Sequence, residues 1–398
     1  MRISQNNLTR REFLHTTGYG AAAVGMGGLK TTTQVSPPTK DKKPLLPVGM
    51  LGRTKYPVTL ISFGGILIAE KLGTRILKAV IDEGVNLIHT AANYQGGKSI
   101  RACGALFKKQ KNYRDKVFLC VKSYRPEKES EIDDVLRLLN TDHAEVALTQ
   151  FHSADQRRLE AIQAQQDKLK KKGKVRYTGF VCHNHINEVI ELILEKAPNY
   201  FDMTLMAMVL AVAPGNSKGK ADAEGQRFLK NIKALREKGV GILSMKTGAR
   251  EAVTKGAELF QAHSKAILAA GADSILTSIN SFQQVEMLKK IDLKNPHLAP
   301  REQKAADAFH RSRSDACLMC GKCEGICPLG LPVSDLMRVR LYHDMYGWHD
   351  HARAEFATLG IKAGDLMTAC GDCSTCTRVC PIGLAGSKIV QQVASYFL

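Results

Sequence analysis

The spacing of cysteines near the C-terminal end of the chain predicts iron–sulfur chemistry. One run spans residues 317–328 and another spans 370–381, and each reads C-x2-C-x2-C-x3-C-P. Thiolates that converge from one side of a compact loop can bind the irons of a cubane, and the proline after the fourth cysteine turns the chain away. Zinc sites use pairs of C-x2-C knuckles and have no need of the C-x3-C-P end. Two [4Fe–4S] clusters are therefore favoured over a pair of zinc sites or disulfides.

The same spacing resembles that of bacterial ferredoxins with two clusters, in which the fourth cysteine of each run binds the other cluster. By this resemblance, one cluster is held by Cys317, Cys320, Cys323 and Cys380. The second is held by Cys370, Cys373, Cys376 and Cys327. Of the eleven cysteines only three remain, and they are scattered and odd in number, so no disulfide framework is expected.

A second set of reactive side chains lies where short apolar runs end. His89 ends one run and Tyr94 follows it, Lys122 ends the next, and His152 comes directly after the one that follows. A lysine ammonium beside a phenol favours the phenolate, which lowers the pKa of the tyrosine and makes it a usable proton donor near neutral pH. A histidine alongside could orient a carbonyl oxygen. Each residue alone is more often structural, but together they indicate carbonyl chemistry at one site.

The elements that would position these side chains alternate between residues 47 and 295. Apolar runs rich in Val, Ile and Leu recur at Val58–Phe63, Val85–His89, Val117–Lys122, Glu145–Phe151, Arg176–Val181, Met203–Val209, Gly241–Met245 and Ser274–Ser278. Amphipathic stretches such as Thr74–Glu83 and Gly225–Lys238 lie between them. Eight strand–helix units predict an α/β fold, a (β/α)8 TIM barrel, whose chemistry lies at the C-terminal ends of the strands. A doubly wound open sheet is the alternative, but no Gly-x-Gly-x-x-Gly follows the first strand.

The C-terminal part is predicted to be a separate, mostly helical domain. Residues 296–314 are polar and are predicted to form a connecting helix or linker. Residues 315–398 hold both cysteine runs, and the stretch between the runs has helical apolar spacing at Ser334–Leu341 and His351–Leu359. A compact ferredoxin would not need such an insertion, so a mostly helical ferredoxin-like domain is expected. Trp348 lies in the insertion and is expected to pack beneath the clusters.

The N-terminal 30 residues resemble a twin-arginine signal segment. The motif is Thr9–Leu14, and the apolar stretch after it is short and rich in glycine, unlike a membrane span. Twin-arginine export carries folded proteins, which suits clusters built in the cytoplasm. A periplasmic or otherwise extracytoplasmic location is therefore expected, with a membrane anchor if the signal is retained. An ordinary basic N-terminus is the alternative, and residues 31–46 are predicted to be a linker.

The net charge of +19 narrows the choice of partners. Lysine-rich faces such as 168–174 lack the interleaved aromatic residues of a nucleic-acid surface, so no nucleic acid is expected. An acidic redox partner would suit this charge.

Several segments resemble the aldo-keto reductases. They include Leu51–Thr54, Glu83–Tyr94, Lys174–Phe180 and Gly239–Lys246. The resemblance covers most of residues 47–290, and the cysteine runs narrow it to the iron–sulfur-bearing branch of that family. It implies hydride transfer between a nicotinamide cofactor, NADP or NAD, and a small carbonyl or alcohol substrate. The family's catalytic tyrosine, lysine and histidine would be Tyr94, Lys122 and His152, and His183 and Lys246 would contact the cofactor.

The family's catalytic aspartate is replaced by His89. A neutral imidazole can accept a hydrogen bond from Lys122 but brings no negative charge, so the proton-donor function of Tyr94 loses support. Three outcomes follow: activity with an altered pH profile, a proton-relay role for His89, or a barrel that binds without turnover. Two functions thus remain. One is an oxidoreductase coupled to an external electron-transfer partner, and the other is a non-catalytic redox carrier with a degenerate barrel.

Overall fold

The computed structural model describes residues 46–128, 130–212 and 220–398. The predicted signal segment and almost all of the predicted linker lie outside the described residues. Within the described ranges, none of the helices has the length and apolar character needed to cross a membrane.

Eight parallel strands form a closed barrel, as the alternating pattern predicts. Their interiors are almost fully buried, because helices cover the outer face and side chains fill the centre. The barrel closes where β10 pairs with β3, with Ile275 opposite Ile61. The strands are β3 (Ile61–Gly64), β4 (Leu87–Thr90), β5 (Phe118–Ser123), β6 (Ala144–Phe151), β7 (Val175–Cys182), β8 (Met203–Ala207), β9 (Gly241–Met245) and β10 (Ser274–Thr277).

The first predicted strand, Val58–Phe63, is divided in the structure. Its first part belongs to an antiparallel hairpin of β1 (Val48–Met50) and β2 (Pro57–Thr59), and only its second part, β3, enters the barrel. The break falls at Leu60, whose backbone N–H donates to Pro47 while its carbonyl accepts from Ile275. The hairpin was not predicted, because its strands are only three residues long.

Nine helices in the described residues accompany the barrel strands. Their apolar faces pack on the sheet, and local caps fix some of their starts, as where the Asp155 carboxylate accepts the Arg157 backbone N–H at 2.8 Å. The helices are α1 (Glu70–Asp82), α2 (Lys98–Lys109), α3 (Ser130–Leu139), α4 (Gln156–Lys171), α5 (Ile186–Lys196), α6 (Lys220–Glu237), α7 (Ala249–Lys255), α8 (Ala257–Ala269) and α9 (Phe282–Leu288).

Three carboxylates, two of them buried, accept backbone hydrogen bonds at the N-terminal ends of the barrel strands. Glu145 accepts the backbone N–H of Leu119 at 2.7 Å, and Asp202 and Asp273 bond in the same way to neighbouring strands. Glu145 also pairs with Arg114 at 3.1 Å. These acids tie the bottom of the barrel together, at the opposite end from the predicted site.

The C-terminal part is helical, as predicted. Helix α10 (Pro300–Arg311) begins with a proline at its first position and connects this part to the barrel. The remaining helices surround an apolar core built around Leu336, Val390 and Val393. They are α11 (Val333–Arg340), α12 (His349–Thr358), α13 (Ala363–Ala369), α14 (Thr375–Val379) and α15 (Gly386–Ser395), and a π-helical turn at Leu341–Met345 follows α11.

The C-terminal domain packs on the C-terminal ends of the barrel strands. The Asn184 amide, after β7, donates to the Ser334 hydroxyl at 3.2 Å, and Lys322 pairs with Glu224 of α6 at 2.8 Å. The Arg313 guanidinium donates to the carbonyl of Thr247, after β9, at 2.9 Å. Residues 338–358, here called the roof segment, comprise the end of α11, the π-helical turn and α12. They lie over the mouth of the barrel.

Candidate active site

A cavity of about 320 Å³ lies between the barrel mouth and the roof segment. This volume is at the lower end of the range for small-molecule sites. The barrel contributes wall residues that include His89, Tyr94, Lys122, Gln150, His152, His183, Lys246, Arg250 and Thr277. The roof segment contributes Arg338, Tyr342, Tyr346, Trp348, His351, Glu355 and Thr358. All six predicted barrel residues therefore face one cavity.

His89 lies near the end of β4 and is almost completely buried, with 2% of its surface exposed. Burial, and then the nearby Lys122 charge, lowers its pKa to about 3, so the imidazole is neutral. Its Nε2 atom has no hydrogen-bond partner in the described chain. Its ring meets the Tyr94 ring edge to face, with centroids 5.8 Å apart. The structure thus places an uncharged His89 ring beside Tyr94.

Lys122 lies on β5 and donates to Nε2 of His183 at 2.8 Å. This differs from the expectation that His89 would accept its hydrogen bond. His183 follows β7 and is buried, and burial together with surrounding cations lowers its pKa well below the usual value. It is therefore a neutral acceptor. Burial lowers the pKa of Lys122 to about 7, against an opposing effect of the Glu355 charge.

Tyr94 follows β4 on a short turn and is half-buried. Burial raises its pKa well above the usual value, and the nearby Tyr124 and Glu355 add to the effect. The sequence predicts a lowered pKa, whereas in the structure the pKa is raised, because the phenol is buried and its charged neighbour is a carboxylate, Glu355. The Tyr94 phenol is therefore held protonated, as a proton donor requires before it transfers its proton.

His152 follows β6 directly, on the exposed side of the cavity. Its Nδ1 lies 3.3 Å from the Gln150 side-chain Nε2, which can only donate. Nδ1 is therefore the acceptor and Nε2 carries the proton. Burial and neighbouring cations lower the pKa of His152, so the ring is neutral near pH 7. A neutral Nε2–H is suited to donate to a carbonyl oxygen, as predicted from the sequence.

Lys246 follows β9 in a left-handed backbone conformation, with φ of 58°. Its Nζ atom is buried, without a hydrogen-bond partner in the residues that the structure describes, and lies 4.9 Å from the centre of the Tyr342 ring. Burial lowers its pKa well below the usual value, and the Arg338 charge contributes. A strained backbone and an ammonium without a partner mark a position shaped for a ligand.

The roof segment supplies side chains that sequence reasoning did not single out. Arg338 pairs with Asp335 at 2.6 Å and with Glu355 at 3.6 Å. Trp348 stacks on Tyr342, with ring centroids 5.8 Å apart, and lines the cavity. The tryptophan therefore lies in the cavity wall, and it also packs against the apolar core of the C-terminal domain. The helical spacing of the insertion was the available signal, but nothing in it showed which domain it would contact.

The eight cysteines of the two runs fall into two neighbourhoods. Cys317, Cys320, Cys323 and Cys380 line one pocket, together with Cys376. Burial raises the pKa of Cys317 to about 12, and the nearby Cys320 and Cys380 add to the effect. Burial also raises the pKa of Cys370 and of Cys376, and Cys327 contributes in both cases. Each group thus holds the fourth cysteine of the other run, and crowded thiols of this kind suit iron binding.

The two neighbourhoods differ in depth. Leu318 and Met319, beside Cys317, are buried in the core of the barrel, and the Cys317 charge acts on Lys246. Cys373 lies in an exposed loop, where hydrogen bonding with Thr375 lowers the pKa of the thiol. Among the described residues, no three His, Cys, Asp or Glu side chains are arranged to hold a single metal ion.

Taken together, the fold and site define a barrel-mouth cavity with acid–base residues, closed by a cysteine-rich redox domain. Family comparison agrees. Residues 65–249 match the aldo/keto reductase family, and residues 313–384 match a 4Fe-4S dicluster domain. The chain therefore contains an aldo/keto reductase domain followed by a C-terminal 4Fe-4S dicluster domain. No curated protein matches the chain in sequence.

Solved structures resemble the barrel. The holo form of aldo-keto reductase AKR11C1 from Bacillus halodurans superposes with a TM-score of 0.51 at 17% identity, covering 66% of this chain and 96% of that one. An aldo/keto reductase from Klebsiella pneumoniae, in complex with NADP and acetate, has a TM-score of 0.49 at 18% identity, covering 67% of this chain and 95% of that one. At such identities the likeness to AKR11C1 supports the fold and nothing further.

Proposed function

We propose that this protein is an iron–sulfur oxidoreductase that interconverts a small carbonyl compound and its alcohol in the barrel-mouth cavity. The observation that carries the proposal is the convergence of Tyr94, Lys122 and His152 on one cavity whose other wall belongs to the cluster-bearing domain. Tyr94 supplies the proton to the substrate oxygen, and the Nε2–H of His152 orients that oxygen. The exchange of electrons with an external partner passes through the clusters.

Two [4Fe–4S] clusters with crossed ligands are part of this proposal. The pairing of Cys380 with the Cys317 group, and of Cys327 with the Cys370 group, supports it. The Cys317 group lies beside the cavity and the Cys370 group lies nearer the surface. The first group is therefore suited to exchange electrons with the cavity, and the second is suited to exchange them with the partner.

The hydride carrier in this proposal is NADP or NAD. The residues that would hold it are His183 and Lys246, because their buried Nδ1 and Nζ atoms have no partner in the described chain and so fit a polar ligand. Such a cofactor supplies a hydride when bound. Two clusters, each carrying one electron, match the two electrons of a hydride. The roof segment would retain a nucleotide once bound, which suits a protein that works outside the cytoplasm.

Export by the twin-arginine route completes the proposal. The support is chemical: the N-terminal motif belongs to a route for folded proteins, and the C-terminal domain needs clusters assembled before export. Fractionation of cells that express the full chain, followed by N-terminal sequencing, tests both export and retention of the signal segment.

Measurement of the nucleotide that is bound to the purified protein is the most direct test of the proposed function. The full chain is purified without oxygen and denatured, and the released NADP and NAD are quantified. We expect about one nucleotide per chain, and less from Lys246→Met, which keeps the length of the side chain but removes its charge. An absence of released nucleotide, together with no binding in a titration, would rule out hydride transfer from a nicotinamide.

A non-catalytic redox carrier is the second candidate. The hydrogen bond from Lys122 to His183 favours it, because in this arrangement the lysine is engaged away from Tyr94. A protein that exchanges electrons through its clusters but neither binds nucleotide nor reduces any carbonyl compound would fit this second function.

A further inference from the structure

The mouth of the barrel has no carboxylate of its own in the described residues that line the cavity. The position that holds an acid in the related family is His89, which is neutral. The acids Glu145, Asp202 and Asp273 accept backbone hydrogen bonds at the bottom of the barrel. Glu131, near the end of β5, is buried and accepts from Ser123 and Tyr124, and it does not line the cavity. Lys122 therefore lacks a counter-charge from its own domain.

Glu355 is the carboxylate that faces this cavity. It lies on α12 of the roof segment, and within the described chain it is the only Asp or Glu among the residues that line the cavity. Its side chain is 23% exposed, so water screens it only in part. It lies 3.6 Å from the Arg338 guanidinium and 3.8 Å from the His351 ring.

The charge of Glu355 reaches the barrel residues across the cavity. Burial has the largest effect on the pKa values of Lys122, Lys246 and Tyr94, and the Glu355 charge raises all three pKa values. The Glu355 charge is the largest effect that opposes the lowering of the Lys122 pKa by burial. The other groups around Glu355 are Tyr124 and Tyr342, besides its partners Arg338 and His351. The Arg338 charge acts in the opposite direction and lowers the pKa of Lys122.

We propose that Glu355 is a positioning residue which supplies, from the cluster-bearing domain, the negative charge that position 89 of the barrel no longer provides. It keeps Lys122 protonated within the cavity that it shares with Tyr94, so that proton transfer to substrate oxygen is competent only while the roof segment is docked. This rests on the proposed function, because it assigns a role within that site. It also gives a reason for the long insertion between the cysteine runs, since the insertion carries the missing acid to the barrel.

The protonation of Lys122 can be measured without any substrate. The anaerobic holoprotein is labelled with a trace of acetic anhydride at a series of pH values, and acetylation of Lys122 is quantified by peptide mass spectrometry. Only the neutral amine reacts, so the rate reports how much of Lys122 is neutral. Glu355→Gln keeps the shape of the side chain and removes its charge. We expect its Lys122 to react about fivefold faster than wild type at pH 6, which corresponds to a fall of roughly one unit from a pKa of about 7.

Two further variants make the test specific. Asp350→Asn removes an exposed carboxylate from the same helix outside the cavity, and the labelling profile of Lys122 should stay at wild type. His89→Asp combined with Glu355→Gln returns a charge to the barrel position and should return the profile toward wild type. An unchanged profile in Glu355→Gln, or no recovery in the double variant, overturns the proposal. Glu355→Asp, with an intermediate profile expected, serves if the glutamine variant does not fold.

This result is separable from the proposed function. If the barrel proves to be non-catalytic, the labelling shift and its recovery still appear while carbonyl reduction is absent from every variant. If the barrel is active but Glu355 has no such role, reduction occurs and the labelling profile does not move. When both hold, carbonyl reduction falls in Glu355→Gln and recovers in the double variant.

Discussion

At the scale of single residues, the cavity is a group of cations and neutral rings held close together. Lys122, Lys246 and Arg338 lie on its walls, and among the described residues that line it Glu355 is the one carboxylate. Burial lowers the pKa of both lysines, because a charged ammonium loses its hydration there. The site is therefore sensitive to pH near neutrality, and Lys122 is the residue that shows it most directly.

The stability of the protein should depend on the charge of Lys122. Its pKa is about 7 in the folded chain, below the ordinary lysine value of 10.5. Between these values the unfolded chain binds the additional proton, so this residue makes the free energy of unfolding rise with pH. Lys122→Met removes that dependence. We expect a gain on the order of a few kcal/mol below pH 7, which shrinks toward pH 10.5.

Denaturant unfolding of the anaerobic holoprotein at several pH values measures this effect. Lys108→Met, which changes an exposed lysine on α2, is the matched control and should leave the pH dependence as it is. A Lys122→Met protein with the same pH dependence as wild type would mean that Lys122 is not buried as a strained cation.

Residue types and spacing predicted which side chains meet, but not how they are paired. Tyr94, Lys122 and His152 were assigned from strand ends and family resemblance, and the structure brings them to one cavity. The bond between Lys122 and His183 was not predicted, because it depends on how far β5 and β7 turn their side chains inward. Glu355 and Arg338 could not be found from local pattern, since only the docking of two domains makes them part of the site.

At the scale of elements, the alternating apolar runs were sufficient to predict the eight barrel strands. Parallel strands that are buried on both faces read as continuous apolar runs, and this signal is strong. The hairpin before the barrel was not predicted, because strands of three residues are too short to show an alternating sequence pattern. The start of helix α15 packs against the second cysteine run at Cys376, a contact that the sequence pattern did not indicate.

Gly386, at the start of α15, should be essential for one cluster. An added Cβ there would overlap with Sγ of Cys376, closer than real side chains approach one another. Gly386→Ala must therefore displace Cys376. We expect the iron content of the purified protein to fall by about half, with loss of one cluster signal in electron paramagnetic resonance.

Gly364→Ala is the matched control for this prediction. It makes the same substitution inside α13, where an added Cβ has no atom of the described chain within 4 Å. Its iron content should equal that of wild type. A normal iron content in Gly386→Ala would show that α15 moves aside without cost, and would remove Cys376 from the set of constrained ligands.

At the scale of the whole molecule, the two cysteine runs tie the C-terminal domain into a single unit. The first run packs against the barrel. The second run comes about fifty residues later in the sequence, and the roof segment lies between the two runs along the chain. If the ligands are crossed, each cluster closes a loop that contains the roof segment. Both clusters then fix the position of the roof segment over the barrel.

Cys380→Ser tests this crossed arrangement. Cys380 shares a pocket with Cys317, Cys320 and Cys323, so its loss should damage the cluster beside the barrel and leave the Cys370 group intact. Cys327→Ser is the reciprocal change and should damage the outer cluster instead. Redox titration monitored by electron paramagnetic resonance separates the two signals. If each variant loses the cluster of its own run, the crossed assignment is wrong.

The position of the roof segment between the cysteine runs has a consequence for how the protein fails. Oxidative loss of iron would release the loops that hold the roof segment, and the roof would then leave the cavity together with Glu355. A molecule that has lost its clusters would therefore also have lost its closed cavity. It would not continue to convert substrate without a route for the electrons. On the proposed function, loss of iron and loss of the pocket would therefore occur together.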